Sequence, residues 1–184
     1  EDIGLSDDGR FTALDDTVIG TLFKLYPLED LMAEEFGRAL PASKVQLLEP
    51  AWKAVLSNKG ILPLLWERHR GHPNLLESHF DDGRTLGAGW VRKPLFSREG
   101  ANIEMHLADG SVQRSDGPYD GPAILQKAHP LTRFEGGYPL IGSWVIGDQA
   151  CGIGIREDDS AITRDSARFV PHAIIDEAPT QIYV

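Results

Sequence analysis

Residues 87–102 read GAGWVRKPLFSREGAN, and the rest of the chain is understood from them. Positions 90–96 hold β-branched and aromatic residues with Lys93 among them, which predicts a strand. A polar turn containing glycine follows at 97–101, and 102–108 (NIEMHLA) returns with apolar and polar residues alternating. A hairpin with a lysine on one strand and S-R-E-G-A-N at its tip can fold backbone N–H groups over a phosphate, because glycine lets the backbone approach an anion closely. The same pattern also fits a surface hairpin whose Lys and Arg are merely solvated.

Composition narrows the classes of function. A chain of 184 residues suits one domain, or one lobe with part of another. Acids outnumber bases 28 to 18, giving a net charge of −10, which argues against duplex nucleic acid as a partner. The single cysteine, Cys151, excludes an internal disulfide and disfavours a thiolate metal site, so a reducing cytoplasm is expected. Cys151 lies in an apolar run and reads as a small core residue. No apolar run approaches the roughly 20 residues that cross a bilayer, and no membrane partner is expected. The chain opens on Glu1 rather than Met and is read as a fragment of a longer protein.

Working outward, 1–16 is an acidic lead-in punctuated by Asp-Gly, and 17–26 is β-rich up to Pro27. Leu28, Leu31, Met32 and Phe36 have the spacing of one helix over 28–40. A short strand at 45–48 precedes a helical turn at 51–56 and a second helix at 61–70. Ser57 and Asn58 suit an N-cap, but Lys59 in a first turn opposes the helix dipole, and a bound anion would explain it. His69, His72 and His79 match no familiar zinc spacing. Downstream come a loop dense in Gly, Pro and Asp at 114–122, a buried strand at 123–128, and a long pair, 138–146 with 150–156, turned through Gly147-Asp148-Gln149. The glycines of CGIGIR suggest that something packs on that backbone. A last β stretch is expected at 169–175, with a tail over 177–184 that pairs or frays.

Five cations from separate elements stand out: Lys59, Lys93, Arg98, Lys127 and Arg156. Gathered around the S-R-E-G-A-N loop they would form a cleft for a polyphosphate. Neither a P-loop nor a dinucleotide fingerprint is present.

Four segments in order, EPAWKAVLSNKGILPLLW (49–66), RKPLFSREGANI (92–103), YPLIGSWVIGDQACGIGIRED (138–158) and SARFVPH (166–172), closely resemble the C-terminal part of the glutathionylspermidine synthase family. The resemblance runs from 17 to 172. It implies an α+β, ATP-grasp-like fold, a mostly antiparallel sheet with flanking helices and a glycine-containing lid hairpin. It further implies that 17–184 is the C-terminal part of a ligase domain whose metal-binding portion lies upstream. On this resemblance Lys59 and Lys93 are ATP-contacting lysines, and Arg98, Glu99 and Gly100 belong to the lid over the phosphates. Gln126 and Lys127 lie beside the adenine, Ala161, Ile162 and Thr163 form a wall of the nucleotide site, and Arg156 is the catalytic cation near the transferred phosphoryl group.

The implied reaction joins a small-molecule carboxylate, such as a glutathione-like peptide, to an amine, such as a polyamine, using ATP and Mg2+. The fragment alone is expected to be inactive. At 23–29 (FKLYPLE), a region on the polyamine and thiol side in true synthases, Leu25 replaces the family threonine, which leaves the substrates open. A degenerate ATP-grasp module that binds without catalysis, or an acidic β-rich domain with no ligand, would share most of these features.

Overall fold

The computed structural model describes residues 3–83 and 87–175; the expectation for 177–184 lies outside them. Four separate sheets and a few short helices make up an α+β chain.

The chain begins with a two-stranded ribbon, β1 (Gly4–Leu5) against β2 (Phe11–Thr12). Phe11 is buried there and meets the Phe36 ring, their centroids 6.5 Å apart. The predicted strand at 17–26 shortens to β3 (Thr21–Phe23), which pairs in parallel with β4 (Gln46–Leu48).

Between these strands the single helix expected from apolar spacing is two helices, α1 (Leu28–Ala33) and α2 (Glu35–Ala39). Glu34 adopts extended backbone angles and breaks the run. Gly37 explains why the break is stable. A Cβ on it would lie 2.7 Å from the Cα of Met32, so α2 folds back onto α1 closer than any other residue would allow. Of the four residues in the predicted stripe only Leu28 is buried.

A 3-10 turn (Ala51–Lys53) and α3 (Ala54–Ser57) precede α4 (Ile61–Arg68), which packs on β5 (Ser78–Phe80). Asn58 Oδ1 accepts the Gly60 N–H at 2.8 Å within the turn before α4, but the helix N-cap is Gly60 and no side chain caps it, so the capping expected of Ser57 and Asn58 is not found.

The main sheet has five antiparallel strands in the order β5-β9-β6-β7-β8, with β6 (Trp90–Pro94), β7 (Glu104–His106), β8 (Val112–Arg114) and β9 (Ala123–Lys127). The opening hairpin is therefore real, with Trp90 opposite His106 and Arg92 opposite Glu104, but its connection is longer than expected. Pro94 has no N–H to continue the ladder, and residues 95–103 leave the sheet as a loop. Because side chains alternate, Ser78, Val91, Lys93, Ile124 and Gln126 share one face, and His79, Trp90, Arg92, Leu125 and Lys127 share the other. Val91, Ile103 and Ile162 form the apolar core on the first face, with Met105 and Ala128 against it.

A three-stranded sheet follows, β10 (Tyr138–Ile146), β11 (Gln149–Asp158) and β12 (Arg168–Val170). The turn between β10 and β11 is Gly147-Asp148, with φ +61° at Gly147, as the sequence suggests. Two expectations fail in this sheet. Nothing approaches Gly152, and a Cβ on Gly154 would make only ordinary contact with Trp144. The glycine accommodates a bulge instead, since Trp144 pairs with Gly152 and Val145 with Ala150, leaving Cys151 as the extra residue. Cys151 is consequently exposed rather than in the core. The last strand ends at Val170, and residues 173–175 carry no strand. Among the described residues no helix is long and apolar enough to cross a membrane.

Candidate functional site

Three of the five singled-out cations come together beside the apolar core on the first face of the main sheet. Lys93 projects from the middle of β6 and donates from Nζ to Gln126 Oε1 at 2.8 Å. Gln126 is buried on β9 and donates in turn to Ser78 Oγ on β5 at 3.1 Å, so a polar row crosses three strands. Burial lowers the Lys93 pKa from its ordinary value.

Lys59 reaches the same place from the turn before α4. Its backbone N–H donates to Leu95 O at 2.9 Å, and its ammonium donates to the Ser97 carbonyl. Its pKa falls to about 8, first through burial and then through repulsion from Lys93 and Arg98, opposed by Glu29. Lys93 and Arg98 thus both lie close enough to Lys59 for their charge to act on it. Arg98 is held by Glu29 at the start of α1, whose second carboxylate oxygen is buried without a hydrogen-bond partner. A lysine disfavoured by burial and by neighbouring cations is a place where an anion gains on arrival, since the anion offsets the lost solvation and relieves the repulsion.

The loop at 97–101 sits above this cluster. Glu99, Gly100 and Asn102 all have positive φ, at 54°, 71° and 52°. A Cβ at Gly100 would fall 2.5 Å from Thr163 O and 2.9 Å from Ile162 Cγ2, so only glycine admits this approach. Two groups that the sequence singled out separately, Gly100 and residues 161–163, are therefore in contact.

That second segment is built by Asp158. Its carboxylate, at the end of β11, accepts the Ser160 N–H at 2.9 Å and the Arg164 N–H at 2.8 Å, and it pairs with the Arg164 guanidinium at 2.6 Å. Those bonds to Arg164 hold the Asp158 pKa well below the ordinary carboxylate range. The resulting turn pushes Ile162 into the core beside Val91.

The remaining candidates are placed elsewhere. Lys127 is exposed, and the alternation of β9 turns it to the face opposite Gln126. Arg156 stands on β11 between Leu140 and Phe169, and its side chain makes no hydrogen bond or ion pair among the described residues. The neighbouring acids are engaged structurally, with Glu157 paired to Arg168 at 2.8 Å.

Sequence reading passed over Ser78 and Arg164, took Glu29 only as a first-turn acid, and took Asp158 only as one of three acids following Arg156 at a strand end. The D-D-S sequence at 158–160 is a turn signal that would have found Asp158. No local signal joins Glu29 to Arg98, which are 69 residues apart. Among the described residues no group of three or more His, Cys, Asp or Glu is placed to hold a metal ion.

With this geometry, the family can be assigned. The glutathionylspermidine synthase preATP-grasp family model matches residues 1–175, and the chain belongs to that family. A Haemophilus influenzae protein named "Putative acid–amine ligase" is 41% identical over 186 residues, covering 95% of this chain and 47% of its own length. Trypanothione synthetase of Crithidia fasciculata is 31% identical over 188 residues, covering 89% of this chain and 29% of its own length. Glutathionylspermidine synthase of the same organism is 27% identical over 176 residues, covering 72% and 24%. The chain therefore spans less than half the length of these curated relatives. The family is one of ligases.

Proposed function

We propose that this chain carries the nucleotide site of an ATP-dependent carboxylate–amine ligase with an ATP-grasp-like arrangement. The observation that carries the reading is the convergence of Lys59, Lys93 and Arg98 beneath a loop with left-handed residues at Glu99 and Gly100. Lys93 and Lys59 meet the phosphates, and the 97–101 loop covers them. Gln126 and the β9 backbone face the base, with residues 161–163 as the wall against which the loop closes. Lys127 contributes through its backbone, since its side chain points to the other face.

In the complete protein ATP phosphorylates the carboxylate, the amine attacks the acyl phosphate, and ADP and phosphate leave. The family resemblance gives Arg156 to the transferred phosphoryl group, although it stands on β11 apart from the Lys59, Lys93 and Arg98 cluster. Magnesium is the usual companion of such phosphates, but the described residues offer no carboxylate set for it. The substrates are a glutathione-like peptide acid and a polyamine-like amine, in line with the names of the relatives. A cavity of about 320 Å3 lined by Leu25, Tyr26, Glu29, Glu49, Lys53 and Arg98 adjoins the cation cluster and is the place for them. Leu25, 86% exposed where the family has threonine, makes that cavity less polar. The compartment is the cytoplasm.

Titration of ADP with magnesium into the chain, repeated on Lys93→Ala, tests the nucleotide site. Binding by the native chain that weakens at least tenfold in the variant is expected, the loss of one charge-assisted bond. Equal heats from the two proteins would overturn it. The 184-residue chain alone is expected to bind nucleotide and form no amide, and ADP release driven by an acid and an amine would refute that.

A further inference from the structure

We infer that Asn102 is a positioning residue for the nucleotide, clamping the 97–101 loop to residues 115–119 so that the loop is in place before a phosphate arrives. The inference rests on the nucleotide reading above and departs from the mobile lid that a glycine-containing loop suggests.

Asn102 leaves the loop with φ +52° and turns its amide onto the neighbouring segment. Its Nδ2 donates to Gly117 O at 3.0 Å, and its Oδ1 accepts the Tyr119 N–H at 2.8 Å. Both polar ends of one side chain are thus spent on a single strap. Gly117 completes the fit. A Cβ there would overlap Asn102 Oδ1 and come within 2.6 Å of Ala101 Cβ, so the strap lies flat against the loop only as glycine.

Ser115 makes a second fastening. Its hydroxyl accepts the Ile103 N–H at 3.0 Å and donates to the carbonyl of Gly100. Gly100 is therefore fixed from two sides, by Ser115 on one and by the backbone of Thr163 on the other. None of these bonds involves the cations below the loop. They act on where the loop's N–H groups lie. A loop ordered in advance loses less conformational entropy on binding, which raises affinity for whatever the loop grips and for nothing else.

That selectivity separates positioning from plain structural support. The loop grips phosphate, whereas adenosine meets only Gln126, the β9 backbone and the 161–163 wall. Asn102→Gly keeps the left-handed backbone accessible and removes both side-chain bonds. Dissociation constants for magnesium ADP by calorimetry, and for adenosine by ligand-observed NMR, are compared in the native chain and in Asn102→Gly. Roughly tenfold weaker ADP with unchanged adenosine is expected.

Ser115→Ala should shift ADP in the same direction and Ser115→Thr, which keeps the hydroxyl, should restore it. Should Asn102→Gly fail to fold, that serine pair decides. Unchanged ADP affinity in the variants overturns the inference, as does an equal loss for ADP and adenosine. If the native chain binds no ADP, the nucleotide reading falls and this inference with it. If the native chain binds ADP and the variants match it, only the inference falls.

Discussion

Lys59 is the residue whose chemistry depends most on its neighbours. Its pKa lies near 8 in the folded chain against an ordinary 10.5, so between those values the unfolded chain holds a proton that the folded chain has released. The unfolded state binds more protons in that window, and stability rises with pH from about 8 to 10.5. Urea unfolding at pH 7 and pH 10 checks this, and Lys59→Met should show a smaller rise, since the Lys93 pKa is lowered as well. Phosphate binding has the opposite dependence, because it favours the ammonium. ADP affinity is expected to fall as pH rises through 8, with proton uptake on binding seen in buffers of different ionisation heat. Lys59 was legible in the sequence as an ill-placed helix-start lysine. Its partners were not, because Arg98 and Glu29 reach it through the fold alone. Gly100→Ala forces φ +71° on a residue with a Cβ and drives that Cβ to 2.5 Å from Thr163 O. A loss of about 1–3 kcal/mol is expected in denaturant unfolding.

Among the elements, the turn after β11 shows how one carboxylate sets a wall of the site. Asp158 is buried and accepts two backbone N–H groups as well as the Arg164 guanidinium. Replacing it with alanine leaves those donors unmatched, and about 1–3 kcal/mol of stability should be lost. The same change should weaken ADP, since Ile162 and Thr163 lose their support. As the Asp158 pKa is depressed on folding, its contribution is present above the ordinary carboxylate value and is lost only as acid takes the pH below it. The hairpin of β6 and β7 was readable from alternation, but the expected strand ran to residue 96 and β6 stops at Pro94, whose missing N–H ends the ladder. The split of the predicted helix at Glu34 was not, since helical periodicity continues through it and only the contact of Gly37 with Met32 selects two short helices.

At the scale of the whole molecule, a small core is set beside a large exposed apolar surface. Ile141, Trp144, Val145 and Ile146 are each more than 60% exposed along the β10–β11 ribbon, as are Leu25 and Trp52 near the proposed substrate cavity. Surface of that extent favours association in water. The isolated chain should bind the dye ANS and self-associate with rising concentration, and sedimentation velocity over a hundredfold concentration range checks it. A monomer at all concentrations would show that this surface is tolerated in water.

The β6–β7 and β10–β11 hairpins, the charge balance and the family segments were settled by the sequence itself, because alternation and turn residues act over a few neighbouring positions. Which cations share a site was decided only in three dimensions. Lys59, Lys93 and Arg98 meet because a turn, a strand and a loop converge on one sheet face, whereas Lys127 is carried away from Gln126 by a single step along β9. Residue types identify the chemistry a chain can perform, but the pleat of a strand and the packing of distant segments determine which of those residues act together.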